Sequence, residues 1–122
     1  MNDTYNILSR QSDRHAYLIL CHNNFNVLCK LLSAIDDERN DIYIHIDKKT
    51  KQVPFPQIKD SICKSQLVFI KRLPVNWGGY SQIKAELALL NEATKSPHSY
   101  YHLISGVDFP LKTQNYIHTF FI

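Results

Sequence analysis

Polar side chains that can bind a charged ligand follow the apolar segments of this sequence. His22 comes directly after one short apolar run, and Asp47, Lys48 and Lys49 come directly after another. A carboxylate in this position can accept hydrogen bonds from a ribose or from a base N–H, as the acidic residue of a dinucleotide fold does. Lysines beside it can offset phosphate charge. The pattern is therefore compatible with a nucleotide site.

Each of these residues also has a structural interpretation. Asp47 can cap a turn, Lys48 and Lys49 can be a solvated charge run, and His22 can be a satisfied group at the end of a strand. For Asp47, the position and the neighbours agree on the ligand role. For either lysine alone, the charge run is the better interpretation, and His22 alone favours neither.

The segment Asn76-Trp77-Gly78-Gly79 carries a second signal. Glycines let a backbone approach a ligand closely, and an indole ring can stack on a base or a sugar. The alternative is that Trp77 plugs the edge of a sheet. Asp108 can bind a metal or a sugar hydroxyl, but a hard cation needs several oxygen ligands, and the chain has no Asp-x-Asp. We therefore expect no metal site and no cofactor.

The elements that must position these groups follow from the hydrophobic pattern. Continuous apolar runs predict strands buried on both faces, and apolar residues at intervals of three and four predict helices. The strands are expected at residues 16–21, 42–47, 67–70 and 100–104, and the helices after Asn24, at 57–65, after Ser81 and after Thr113.

Two polar residues are expected to cap these helices, Asn24 the first and Ser81 the third. The third helix is predicted to end at Ser96-Pro97. Its inward face is predicted to consist of Ile83, Leu87, Leu90 and Ala93. The last helix, after Thr113, is predicted to carry Tyr116, Ile117, Phe120 and Phe121.

Alternation of strands and helices predicts a three-layer α/β fold with a mostly parallel sheet. In such sheets, ligands bind beyond the carboxyl ends of the strands. The polar groups at those ends should therefore converge on one edge. They are residues 22–24, 47–49, 76–79 and 105–108.

Composition and motifs narrow the function classes. The chain has 122 residues, 44% hydrophobic and 20% charged, with a net charge of +3. That is enough for one folded domain, and the mild, scattered positive charge argues against nucleic acid as a partner. There is no GxGxxG after the first strand, no GxxxxGK[ST] and no GxSxG, so dinucleotide, P-loop and serine-hydrolase sites are not expected.

The cysteines and the N-terminal residues bear on the compartment. The three cysteines are odd in number and have no CxxC spacing, which indicates free thiols in a reducing compartment and no zinc site. Residues 1–14 are polar and lack the apolar core of a signal peptide, and the longest apolar run is too short to span a bilayer. We therefore expect a cytoplasmic protein with no transmembrane segment, with peripheral membrane association left open.

Four segments, in this order, resemble the Core-2/I-branching glycosyltransferases, a family that includes the peptide O-xylosyltransferases. The third and fourth surround the Trp-Gly-Gly and Asp-Phe-Pro sequences, and the resemblance runs from Ala16 to the end of the chain. The segments are residues 16–22, 43–49, 77–81 and 101–113.

The resemblance implies a GT-A-like (Rossmann-like) fold that binds a nucleotide sugar. It implies inverting, metal-independent transfer of GlcNAc or xylose from a UDP-sugar to a glycan or polypeptide hydroxyl. By motif match, the residues that would contact the donor are Leu20, Cys21, His22, Asp47, Lys48, Lys49, Trp77 and Asp108.

The family's catalytic base is a Glu in the C-terminal half, and basic residues there neutralise the leaving diphosphate. The chain is therefore expected to contain no catalytic residue, and Glu86 and Glu92 are not candidates for the base. We expect residues 1–14 to be a polar stub and residues 15–122 to be the N-terminal donor-binding part of the domain, with the C-terminal half missing.

Animal members are Golgi membrane proteins with a membrane anchor and disulfides, so the resemblance together with free thiols suggests a microbial cytoplasmic member. Two alternatives stay open. One is a truncated, non-catalytic remnant or UDP-sugar-binding module. The other is an unrelated α/β nucleotide-binding regulatory module, which a Gly-rich phosphate loop would support.

Overall fold

A computed structural model describes residues 14–105, in which strands and helices alternate as predicted. The four strands form one sheet in the order β3-β2-β1-β4, and every neighbouring pair is parallel. The predicted α/β class with Rossmann-like character is confirmed. The elements are β1 (His15–Cys21), α1 (Phe25–Ile35), β2 (Asn40–Ile46), α2 (Phe55–Asp60), β3 (Gln66–Phe69), α3 (Tyr80–Ala93) and β4 (Tyr100–Ser105).

Predictions for the two ends of the chain lie outside the described residues. They concern the polar stub before Arg14, the Asp108 loop and the helix expected after Thr113.

Strand β1 lies inside the sheet and is buried on both faces, as its continuous apolar sequence predicted. Tyr17 and Ile19 pack on the side of α1 and α2. Leu18 and Leu20 pack on the opposite side, against α3. Because successive side chains of a strand point to opposite faces, one short run fills both cores.

The helices divide between the two faces according to the direction in which the chain crosses the sheet. From β1 to β3 the chain moves one way, and both connecting helices pack on one face. From β3 to β4 it moves back past β1, and α3 packs on the other face. A constant right-handed crossover produces this arrangement. The strand order reverses between β1 and β4, where α/β sheets open a crevice for ligands.

The predicted inward face of α3 is wrong. Ile83, Leu87 and Leu90 are 51%, 59% and 39% exposed, and of the four predicted residues only Ala93 is buried. The helix instead contacts the sheet through a stripe with a spacing of four, which consists of Ala85, Leu89 and Ala93. The two alanines let the helix lie close to β1 and β2, so the bulkier stripe is turned away from those strands.

Neither predicted residue makes a side-chain cap, although Asn24 does occupy the N-cap position of α1. Asn24 precedes α1 with a left-handed φ of 55° and makes no side-chain cap. Helix α3 begins at Tyr80 after Gly79, and the Ser81 hydroxyl accepts a hydrogen bond from the Asn76 N–H (2.7 Å) instead of capping the helix.

Helix α2 begins and ends earlier than the predicted residues 57–65, with Pro56 in its first turn. It ends early because the Asp36 carboxylate accepts hydrogen bonds from the N–H groups of Cys63, Lys64 and Ser65 (2.8–2.9 Å). Those amides are therefore used in a loop rather than in a longer helix.

An ion-paired cluster holds the amino edge of the sheet. Asp41 accepts hydrogen bonds from the Arg14 guanidinium and lies 2.7 Å from the Nε2 atom of His98, whose side chain is fully buried. Burial by itself would raise the pKa of Asp41, but the contacts with His98 and Arg14 outweigh it and hold that pKa below its ordinary value. This cluster lies at the edge opposite the polar strand ends and is part of the scaffold.

The three cysteines of the chain are all free thiols. Among residues 14–105, no helix is long and apolar enough to cross a membrane.

Candidate functional site

Loops that follow β1, β2 and β3 meet at the carboxyl edge of the sheet. The Thr50 hydroxyl donates a hydrogen bond to the His22 carbonyl (2.7 Å), which joins the first two loops. Lys49 Nζ donates to Asn76 Oδ1 (3.2 Å), which joins the second and third. The polar groups after these three strands therefore converge, as the parallel sheet predicted. We call these loops, residues 22–24, 47–50 and 71–79, the rim.

An exposed aromatic pair lies on the rim. The rings of His22 and Trp77 are 4.7 Å apart between centroids and tilted by 47°. Trp77 is 42% exposed, so it does not plug the sheet edge as the alternative interpretation had it. Exposed aromatic faces of this kind are surfaces on which a base or a sugar can stack.

The turn that presents Trp77 depends on a glycine. Gly78 has a φ of 84°, in the left-handed region that glycine adopts without strain. Its N–H donates to Gln82 Oε1 (2.7 Å), and the Asn76 N–H donates to Ser81 Oγ (2.7 Å). The first turn of α3 thus holds both sides of the tryptophan.

Asp47 is 4% exposed and organises the backbone around it. Its Oδ1 atom accepts hydrogen bonds from the N–H groups of Lys49 (3.0 Å) and Val75 (3.1 Å). The carboxylate therefore caps the turn that it begins, which is the structural alternative raised above. Its other oxygen, Oδ2, lies 3.9 Å from Lys49 Nζ. A role toward a ligand is left to Oδ2 and stays a prediction.

The two lysines differ in their surroundings. Lys49 contacts both Asp47 and Asn76 and so bridges two loops of the rim. Lys48 is exposed, and its backbone N–H donates to the Leu73 carbonyl (3.1 Å). Lys48 is thus held by its backbone while its side chain lies at the surface, where it can meet an anionic group.

Leu20 and Cys21 are buried core residues. The Cys21 thiol donates to the Asn23 carbonyl (3.4 Å), and burial raises the pKa of this thiol to about 11. A thiol with such a pKa is not a nucleophile near neutral pH. Both residues can therefore meet a nucleotide only through backbone atoms at the end of β1.

Arg72, which the sequence patterns did not single out, holds the turn after β2. Its guanidinium donates to the carbonyls of Ile46 (3.2 Å), Asp47 (2.9 Å) and Thr50. The Arg72 side chain thus hydrogen-bonds to the end of β2 and to both ends of the turn that carries Lys48 and Lys49. We call residues 71–75 the strap.

The His45 side chain stabilises the strap through a hydrogen bond. Its Nε2 atom accepts a hydrogen bond from the Leu73 N–H (2.9 Å), which requires the neutral ring. Burial lowers the pKa of His45 and the nearby Arg72 charge adds to this, whereas Asp47 opposes it. The environment therefore favours the protonation state that the bond needs.

Arg72 follows β3 as one of two adjacent cations and belongs to no recognisable motif. His45 lies inside an apolar strand, and although the segment 43–49 resembles the family, no role was predicted for this residue. The signal that could have pointed to His45 is the alternation of side chains between the two faces of a strand. Tyr43, His45 and Asp47 share one face of a strand predicted to be buried, and buried polar side chains need partners.

Asp108, the remaining predicted site residue, lies outside the described residues. Between Arg14 and Ser105, no group of three or more His, Cys, Asp or Glu side chains is arranged to hold a metal ion.

The chain is an α/β domain with an all-parallel sheet whose carboxyl edge, where such sheets bind ligands, carries an aromatic pair, a carboxylate and lysines. Sequence comparison gives the family: a model of the Core-2/I-Branching enzyme family matches residues 15–122. The chain belongs to this family, as its motifs predicted.

Three relatives illustrate how far the similarity extends. The N-acetyllactosaminide β-1,6-N-acetylglucosaminyl-transferases of Mus musculus and Homo sapiens are each 30% identical over 106 residues, which are 84% of this chain and 26% of each relative. A probable β-1,3-galactosyl-O-glycosyl-glycoprotein β-1,6-N-acetylglucosaminyltransferase 7 of Sus scrofa is 28% identical over 102 residues, covering 80% and 24%. The chain thus spans about a quarter of the length of these relatives.

Proposed function

We propose that this chain supplies the donor-binding part of a β-1,6-N-acetylglucosaminyltransferase that uses a UDP-sugar and a glycan hydroxyl. The observation that carries the proposal is the convergence of three loops into one rim with an aromatic pair beside Asp47 and Lys48. GlcNAc is preferred to xylose because the relatives named above are N-acetylglucosaminyltransferases.

In this proposal, each group of the rim has a separate task. The uracil ring or the sugar stacks on Trp77 and His22. Asp47 Oδ2 accepts a hydrogen bond from a base N–H or a ribose hydroxyl, while Oδ1 stays engaged with Lys49 and Val75. Lys48 contributes positive charge toward the diphosphate.

The proposed reaction is a single displacement. The acceptor oxygen forms a bond to the anomeric carbon as the bond from that carbon to the UDP oxygen breaks, which inverts the configuration. The hydroxyl proton passes to a carboxylate outside the described residues. Glu92 is unsuited to this task because it is ion-paired with Lys95 (2.9 Å) on the last turn of α3.

We propose a metal-independent reaction, in which lysines of the rim and basic groups from the rest of the protein offset the charge of the leaving UDP.

Calorimetric titration with UDP tests the binding step. Asp47→Asn keeps an oxygen for the backbone N–H groups but removes the carboxylate charge, and Trp77→Ala removes half of the aromatic pair. We expect each to weaken UDP binding about tenfold, which is roughly 1.4 kcal/mol. Lys64→Ala, before β3 at the opposite edge, is the matched control and should bind as the wild type does.

Equal UDP affinity in all four proteins, or no binding at all, would contradict the proposed site. Release of UDP from UDP-GlcNAc in the presence of a glycan acceptor, by a protein that contains this chain and the catalytic half, distinguishes a transferase from a non-catalytic binding module.

A further inference from the structure

A row of exposed apolar side chains lines a groove between α3 and β4. Ile83, Leu87 and Leu90 come from the helix, and Tyr101 and Leu103, 39% and 49% exposed, come from the strand. The groove measures about 280 Å³. That is several times the roughly 30 Å³ that one water molecule occupies in the liquid. It can therefore accept large side chains.

This surface differs from the scattered apolar residues that soluble proteins normally expose. Its members adjoin one another, and on α3 they recur at intervals of four and three, the spacing of a stripe that contacts another helix. Contiguous apolar surface of this kind marks a place where another segment packs.

The two faces of β4 are covered unequally. His102 stacks on Tyr17 (4.6 Å between ring centroids), and Ile104 packs on the core beneath α1. Tyr101 and Leu103, which alternate with them, face the α3 side. Helix α3 lies over β1 and β2, so this face of β4 has no helix above it among the described residues.

The direction in which the chain crosses the sheet indicates which segment would pack above this face of β4. A next strand beyond the outer edge of β4 would continue the direction that the chain takes from β3 to β4. With the same right-handed crossover, the helix leading to that strand lies on the α3 face, directly above β4.

We propose that residues 113–122 of this chain occupy the groove. These residues lie outside the described range, and their sequence predicts a helix whose apolar side chains Tyr116, Ile117, Phe120 and Phe121 share one face. Seven residues, 106–112, separate them from the end of β4. At about 3.3 Å per residue, this connection reaches far enough to turn back over the strand.

Disulfide trapping in the 122-residue chain tests the contact directly. Leu87→Cys is combined in turn with cysteine at each of residues 114–121, and the disulfides are mapped by mass spectrometry under mild oxidation. The proposal predicts trapping at two or three positions three or four residues apart. The control, Lys84→Cys on the same helix, is exposed but does not line the groove and should trap poorly.

A double-mutant cycle gives a second readout. If the segment packs in the groove, Leu87→Ala and Phe120→Ala together should change the unfolding equilibrium constant at least threefold less than the product of the single effects. Lys84→Ala with Phe120→Ala should show no such coupling.

Trapping that is equally weak at all positions, with no coupling in the cycle, would overturn the proposal. Disulfides only between two copies of the chain, with a concentration-dependent melting temperature, would overturn it in favour of a dimer interface. Neither readout uses a nucleotide, so failure here leaves the proposed donor site untouched.

Discussion

Replacing Arg72 by methionine removes three hydrogen bonds to the carbonyls around the turn after β2 while it keeps much of the side-chain volume. A hydrogen bond that involves a charged group contributes about 1.5–3 kcal/mol when it is buried. Arg72 is only half-buried, so water can replace part of what is lost. We therefore expect the free energy of unfolding to fall by about 2–3 kcal/mol in total, which is less than the sum of three buried bonds.

The turn that loses these bonds carries Asp47 and Lys48, so the same substitution should weaken UDP binding about tenfold, or roughly 1.4 kcal/mol. Arg72→Lys keeps the charge but cannot hold three carbonyls in a planar fork, and it should lie between the wild type and Arg72→Met. Lys71→Met removes the neighbouring exposed cation and is the matched control.

Urea unfolding measures the stability of each variant, and calorimetry with UDP measures its affinity. A drop in stability in Arg72→Met, with UDP affinity no weaker than in Lys71→Met, would refute a positioning role for Arg72. It would then be an ordinary stabilising residue at the end of β2.

Three further substitutions test other parts of the structure. Gly78→Ala should destabilise the chain by about 1–2 kcal/mol, because alanine is strained at a φ of 84°; an unchanged urea midpoint would contradict this. Leu89→Ala should cost about 2–5 kcal/mol because Leu89, on the sheet-facing side of α3, is fully buried, whereas the exposed Lys84→Ala on the same helix should cost several times less in the same unfolding assay. His45 has a pKa below its ordinary 6.5, so the unfolded chain takes up its proton first as pH falls. Its stabilisation is complete above about pH 7 and declines below pH 6.5. The loss of stability between pH 7.5 and 5.5 should be smaller in His45→Gln, and an equal loss would show that His45 does not contribute.

The strands could be predicted from sequence because their signals are local. The run from Ala16 to Cys21 is apolar without interruption, and in a strand that is covered on both faces every residue of such a run is buried. A parallel sheet then fixes which loops meet, which is why the sequence alone could place His22, Asp47 and Trp77 on one edge.

The face of α3 could not be predicted because the helix carries two apolar stripes. The bulkier stripe, with Ile83 and Leu87, gives the stronger hydrophobic signal, whereas the sheet selects the smaller one with Ala85 and Leu89, which allows closer packing. Nothing in the local sequence shows how near a helix lies to a sheet.

The strap was missed for a different reason. Arg72 acts on backbone carbonyls of residues more than twenty positions away, and backbone acceptors leave no trace in residue types.

Amide chemical-shift mapping tests the central claim most directly. The ¹⁵N-labelled chain is titrated with UDP, and each backbone N–H reports on its own surroundings. A donor site at this edge predicts the largest shifts in the parts of the rim that carry the proposed ligand groups, residues 22–24, 47–50 and 76–79, and little change at the opposite edge, around Asp41 and His98. Shifts concentrated at that opposite edge, or no saturable shifts at millimolar UDP, would contradict a donor site at the carboxyl ends of the strands.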